Sequence, residues 1–502
     1  MKKIFYILII ILFTVSCQNE DYLVKPRLVE TPQVPETPVT YTSGSADFSN
    51  YVSVGNSLTA GYSDGALFIE GQKKSFPNIL ANQFSLAGGG SFTQPLMDDN
   101  LGGLLLGGQQ ITSNRLILSF ASGSPSPVPV SGTPATEVSN IKSGPYNNMG
   151  VPGAKIFHLL APGYGNVAGV ATGAANPFFA RMASSSSATV IGDAVSENGS
   201  FFSLWIGAND ILGFAASGGD GVDQTGNFDA ATYGSNDITD PQVFMGAYNA
   251  LLQNLTSTGA KGIVANLPSI TTIPYFTTVP YNAIPLDAAT AATLNGAFAA
   301  YNGGLQFVVD NTPYLTQAEA DKRMIHFVEG QNPVLILDED LTDLTGVNPE
   351  LTNMRQATSE DLLVLTSRTF LGTTVGGNPQ LINGVSVPLA DKWVLTPQEQ
   401  TAVETARTAY NQTIENFASQ YDLAFFDADA LMQQMLTTGI TENGITSTAV
   451  YATGGGFSLD GVHPSPRGYS IIVNGMIDVI NTKYGSNLPK VNVGDYKGLY
   501  IN

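Results

Sequence analysis

SFFSLWIGAND, Ser200 to Asp210, is a compact apolar run that stops at Gly207. A short run that is apolar throughout and bounded by glycine has the pattern of a strand buried on both faces, as in a parallel sheet. Working outward, similar runs occur at Phe48–Val54, in KGIVANLP from Lys261, and at Leu423–Phe426, with a further strand expected at Arg115–Phe120 after a glycine-rich loop. Helical patterns fall between them: from Thr59 onward, Phe76–Phe84, Pro241–Leu255, Thr396–Tyr421 and Pro466–Lys483. Strands alternating with helices predict an α/β fold on a parallel sheet. Open sheets of that kind bind ligands at the carboxyl ends of their strands, which is where Asn209 falls. Between Tyr275 and Trp393 the alternation breaks down into Pro, Thr and Asn clusters, read here as a large insertion in the same domain.

With 502 residues, 43% of them apolar, the chain can bury a large core. Its 41 acidic residues outweigh 21 basic ones, a formal charge of −20 that argues against a nucleic-acid partner. MKKIFYILIIILFTVSC has two lysines, an apolar run too short to span a bilayer, and Ser16-Cys17. It reads as a signal peptide over residues 1–17, either a plain one or, as the Ser-Cys ending resembles, a bacterial lipobox with Cys17 lipidated. The second reading implies an outer-membrane lipoprotein held to the membrane by acyl chains on Cys17. Residues 18–47, rich in Pro and Thr, read as a tether, and 48–502 as the globular domain. Cys17 is the only cysteine, which leaves the mature chain without an internal disulfide or a catalytic thiol.

Three histidines are present: His158, His326 and His463. The first lies in AKIFHLL, an apolar helical setting, and the second in RMIHFV, an apparent strand, so structural roles are expected for both. His463 differs. It sits in GGGFSLDGVHPSPRGYS, just before a helix marked by Ser465 and Pro466. Asp460, three residues earlier, can reach one imidazole nitrogen, or it can be incidental. Ser57, in VSVGNSLTAGY, stands on a strand-to-helix turn, as a helix cap or as a nucleophile. NNMGVPGAK places Gly150 and Gly153 in a loop, where a backbone N–H can approach a ligand closely.

Taken in chain order, GNSL, NMGVPG, GAND and DGVH resemble the four blocks of the SGNH hydrolases, the GDSL esterase and lipase family. The resemblance implies a three-layer α/β/α, flavodoxin-like fold with a central parallel sheet and large insertions. It also implies a serine ester hydrolase in which Ser57 is the nucleophile and Asp460 and His463 complete the triad. Gly153, Asn209 and the Ser57 N–H would form the oxyanion hole. One departure is visible: Asn56 stands where the family has aspartate. Acylated lipid and acetylated glycan both remain open as the ester substrate, and the expected protein is a monomer. A surface protein that binds glycan on the same scaffold without catalysis is the alternative. No cofactor or metal is required by this chemistry, and the acidic DEDLTD from Asp338 to Asp343 reads as a solvated loop.

Overall fold

The computed structural model describes residues 39–121 and 123–501. The expected signal peptide, Cys17 and most of the expected tether lie outside the described residues. From Tyr41 onward the chain forms one compact unit. Its centre is a sheet of five strands, β1 (Tyr51–Gly55), β2 (Asn148–Gly150), β3 (Phe201–Trp205), β4 (Lys261–Ala265) and β5 (Ala424–Phe426). All neighbouring pairs are parallel, in the spatial order β2-β1-β3-β4-β5. The order reverses direction between β1 and β3, and the crevice outside that switch point is where such sheets hold ligands.

Eight helices matter for the site and its supports: α1 (Ser57–Ala60), α2 (Phe76–Ser85), α3 (Val190–Ser196), α4 (Asn209–Ala216), α5 (Pro241–Thr256), α6 (Ala288–Asn311), α7 (Pro397–Gln420) and α8 (Pro466–Tyr484). Side chains alternate across the strands, so each strand serves two cores. Val52, Val54, Phe202, Leu204 and Val264 pack with α3, α4, α5 and α7 on one face. Tyr51, Phe201, Trp205 and Ile263 pack with α2 and α8 on the other. Each such side chain taken fully from water contributes roughly 1.5–3 kcal/mol. The two serines inside these apolar strands are satisfied by each other: Ser53 and Ser203 hydroxyls lie 2.8 Å apart, and Tyr51 joins Ser203 at 2.7 Å.

Several sequence expectations need correction. The first strand begins at Tyr51 and not at Phe48, because Phe48 already belongs to the core beside α2. Asn148–Gly150, expected as loop, is a three-residue edge strand paired with β1. The strand near Arg115 exists at Leu116–Ser119, but it forms an antiparallel hairpin with Ser126–Pro129 apart from the main sheet. Within 275–393, helix α6 and several short antiparallel pairs build two apolar clusters of their own. One is centred on Tyr301, Leu305 and Leu335, the other on Ile336, Leu363 and Leu389. Asp338 is not solvated, as its run was expected to be. Its side chain is fully buried and paired with Arg355, which also holds Asp361 at 2.7 Å. Among the described residues, no helix is long and apolar enough to cross a membrane.

Candidate active site

Ser57 is placed by the turn that joins β1 to α1. Gly55 ends the strand, and a Cβ there would lie 2.3 Å from the Trp205 carbonyl and 2.2 Å from Thr59 Oγ1. Gly150 on β2 is equally tight, with Ala60 N 2.2 Å from where its Cβ would be. Two glycines therefore let the turn sink against both neighbouring strands. Asn56 caps α1: its side-chain oxygen accepts the Leu58 N–H at 3.0 Å. Asparagine does here, uncharged, the capping that an aspartate does with charge. The Ser57 N–H falls in the first turn, where a helix offers no backbone partner.

His463 arrives from the far end of the chain on a closed loop. Ser458 N–H donates to the His463 carbonyl at 2.8 Å, and the Tyr275 N–H donates to the Gly461 carbonyl at 2.9 Å. Ser465 then caps α8 by accepting the Gly468 N–H at 3.0 Å, with Pro466 in the first turn. In this frame Ser57 Oγ lies 2.9 Å from His463 Nε2, and His463 Nδ1 lies 2.9 Å from Asp460 Oδ2. The Tyr62 ring backs the imidazole at 4.7 Å between centroids.

Asp460 is held on every side. Oδ1 accepts from Ser458 Oγ and from the N–H groups of Val462 and His463, and Oδ2 accepts from the Gly65 N–H as well as facing His463. Burial raises its pKa, but the nearby imidazole and these hydrogen bonds outweigh burial and bring it down to about 2. An ionised Asp460 fixes the imidazole tautomer: Nδ1 carries the proton, and Nε2 is left to accept from the serine hydroxyl.

Asn209 opens α4 at the carboxyl end of β3, across the switch point from Ser57. One amide hydrogen is committed to the Ala154 carbonyl at 2.9 Å, which fixes the orientation of the group. An amide has two such hydrogens, so a second remains for a ligand. Ser57, Asn209 and His463 share the wall of one cleft. The rest of its lining is mainly apolar: Leu58, Leu212, Leu267, Ile270, Ile273 and Val462. Gly153 is not among the lining residues. It sits exposed beside Ala154 at φ 79°, a conformation that favours glycine. None of the lining residues comes from 275–393, although the insertion root meets the histidine loop through Tyr275 and Leu365 at Gly461.

Asp64 is illegible in the sequence because its partners are almost four hundred residues away. It is 1% exposed, at φ 53°; Oδ1 accepts the Leu459 N–H at 2.9 Å, and Oδ2 is buried without a partner. Burial, with a smaller push from Asp460, raises its pKa from 3.8 to about 7 against the pull of the Leu459 N–H, Arg115 and His463. Between those values the folded protein keeps a proton that the unfolded chain releases, so this group costs stability as pH rises from about 4 to about 7 and no further above that. Asp64→Asn is expected to match wild type in urea unfolding near pH 4 and to exceed it by up to about 4 kcal/mol above pH 7. A difference that does not grow with pH would contradict this account.

The other histidines stand apart from the cleft. His158 lies on a 3-10 turn, half-buried, accepting the Lys155 N–H at Nδ1 and stacked on Tyr164 at 4.6 Å. Burial and the Lys155 charge depress its pKa to about 4, which fits the structural role expected for it. His326 departs from expectation: it is exposed, in an irregular extended segment after Arg323. Phe327 and Ile325 fill the core on either side of it, and the alternation turns His326 outward. Asp210, next to Asn209, is fully buried and accepts from Ile156 N–H and Thr239 Oγ1, tying α4 to two neighbouring segments. No family model, no curated protein and no solved structure matches this chain.

Proposed function

We propose that this chain is a serine ester hydrolase of the SGNH type, with the three-layer α/β/α architecture that such enzymes use. The observation that carries the proposal is the pair of 2.9 Å contacts running Ser57 Oγ–His463 Nε2 and His463 Nδ1–Asp460 Oδ2. Support comes from the switch point, which sets Ser57 and Asn209 side by side at the ends of β1 and β3.

In the proposed cycle His463 Nε2 takes the Ser57 proton as Oγ attacks the ester carbonyl. The carbonyl electrons move onto oxygen, and the resulting oxyanion accepts from the Ser57 N–H, the free Asn209 amide hydrogen and, as the family pattern implies, the Gly153 N–H. The imidazolium, stabilised by ionised Asp460, gives its proton to the leaving alkoxide, and the alcohol departs. Water then attacks the acyl-enzyme by the same route in reverse order, releasing the acid and restoring Ser57. The apolar lining favours an ester with a hydrocarbon acyl chain over an acetylated glycan.

Hydrolysis of p-nitrophenyl esters from acetate to palmitate tests this. Turnover is expected, with longer chains than acetate preferred. Asn209→Ala is expected to lower kcat by about 10²–10³-fold, the usual cost of one oxyanion donor. A folded wild-type protein with no turnover at any chain length would reject the proposal and favour a glycan binder. A folded Asn209→Ala variant with an undiminished rate would reject the role of that residue.

A further inference from the structure

Away from the cleft, the carboxylates of Glu339, Asp391 and Glu399 converge, one oxygen of each lying within 4.8 Å of the others. They come from separate parts of the chain. Glu339 follows the strand at Leu335–Leu337, Asp391 opens the turn Asp391–Trp393, and Glu399 stands in the first turn of α7. The cations nearby are committed elsewhere. Lys322 and Arg355 pair with Asp338, and Lys392 lies over the Trp393 ring.

Glu399 is 7% exposed. Its Oε2 accepts the Thr396 N–H at 2.6 Å, while its Oε1 is buried and accepts nothing. Asp391 Oδ1 is buried and unpartnered in the same way. Room for the Glu399 carboxylate is provided by Gly219, at φ 88°: a Cβ there would lie 1.7 Å from Oε1. Buried carboxylate oxygens without partners are costly unless a cation or a proton joins them.

Carboxylate-only donors are hard ligands, suited to calcium, magnesium or manganese. Of these, calcium accepts a loose and irregular set of oxygens, whereas magnesium demands near-ideal octahedral geometry. Three carboxylates from separate segments, one of them exposed, suit the less demanding ion, and their oxygens lie close enough together for one ion to reach all three. We propose that Glu339, Asp391 and Glu399 form a calcium site that fastens the 275–393 insertion to the N-terminus of α7. Backbone carbonyls and water would complete its coordination. The proposal is independent of the hydrolase reading, since none of the three residues lines the Ser57 cleft. Burial and the neighbouring Glu339 push both Asp391 and Glu399 upward, as the crowding of three carboxyls at one point requires.

The test uses the full chain stripped with a chelator, its melting followed by calorimetry with and without millimolar calcium, and calcium binding counted by titration calorimetry. Wild type is expected to bind one calcium per chain and to melt several degrees higher with it. Both effects should disappear in Glu399→Gln. They should also disappear in Glu339→Gln, whose exposed side chain can be changed without risk to folding. The proposal is overturned if stripped wild type binds no calcium, or if Glu339→Gln binds it as tightly as wild type. It is also overturned if melting ignores calcium and falls only as pH rises above the ordinary carboxylate range, which would assign the cluster to shared protons.

Discussion

Ser57→Ala is expected to lower kcat for p-nitrophenyl ester hydrolysis by about 10⁶-fold while shifting stability by no more than about 1 kcal/mol. The hydroxyl has one side-chain partner, His463 Nε2 at 2.9 Å, so its removal leaves no buried donor stranded. Asn56 caps α1 through its own side chain, so the helix keeps its start without the serine oxygen. What remains after the substitution is substrate binding and the oxyanion donors, which can accelerate only a slow attack by water. Rate and melting temperature measured on the same preparation separate the two effects. A cooperative, stable variant that still turns over at a rate comparable to wild type would remove Ser57 from the chemistry.

Asp460→Asn is expected to reduce kcat by about 10⁴-fold and to alter stability as well, because this carboxylate does two jobs. In the proposed cycle it fixes the proton on Nδ1; an amide donating to that nitrogen would hold the wrong tautomer. As a structural group it accepts from three backbone N–H groups and the Ser458 hydroxyl, closing the loop that carries His463 and joining it to Gly65. With its pKa at about 2 in the folded protein and 3.8 ordinarily, Asp460 adds stability that is fully present above about pH 4 and lost as pH falls toward 2. The amount is about 2 kcal/mol. The melting temperature of the variant should therefore lie below that of wild type at neutral pH, and the gap should narrow as the solution is acidified below about pH 4. A gap independent of pH would contradict the charge-based account.

Much of this architecture can be read from the chain, for a physical reason. β1, β3, β4 and β5 are buried on both faces, so each is an apolar run, and α2, α5, α7 and α8 are long enough to show their periodicity. β2 is opaque because Asn148–Gly150 is three residues long and owes its strand geometry to pairing with Ser53–Gly55. Helix α6 is opaque for another reason. AATAATLNGAFAAYNGGLQFVVDN is rich in alanine, interrupted by glycines and nearly free of charge, so it has strong propensity without a polar face to mark its period. The short antiparallel pairs of the insertion carry too few residues for alternation to register.

The candidate site divides in the same way. Ser57, Asn209, Asp460 and His463 lie in local patterns whose turn chemistry is visible in a few consecutive residues, and these converge on one cleft or, for Asp460, directly behind it. Asp64 and the Glu339–Asp391–Glu399 cluster are products of long-range packing, and nothing next to them in the sequence announces it. The run DEDLTD shows the limit plainly: its charges look alike in sequence, yet Asp338 is buried in an ion pair while Glu339 faces two other acids.

The most direct test of the central claim is a covalent one. Wild-type protein treated with a fluorophosphonate, which phosphonylates only serines activated by a neighbouring base, is digested and mapped by peptide mass spectrometry. A single adduct on Ser57, absent from Ser57→Ala and strongly reduced in His463→Ala, is the predicted result. A well-folded wild-type protein that takes no label, or takes it at another residue, would contradict the assignment of Ser57 as the nucleophile.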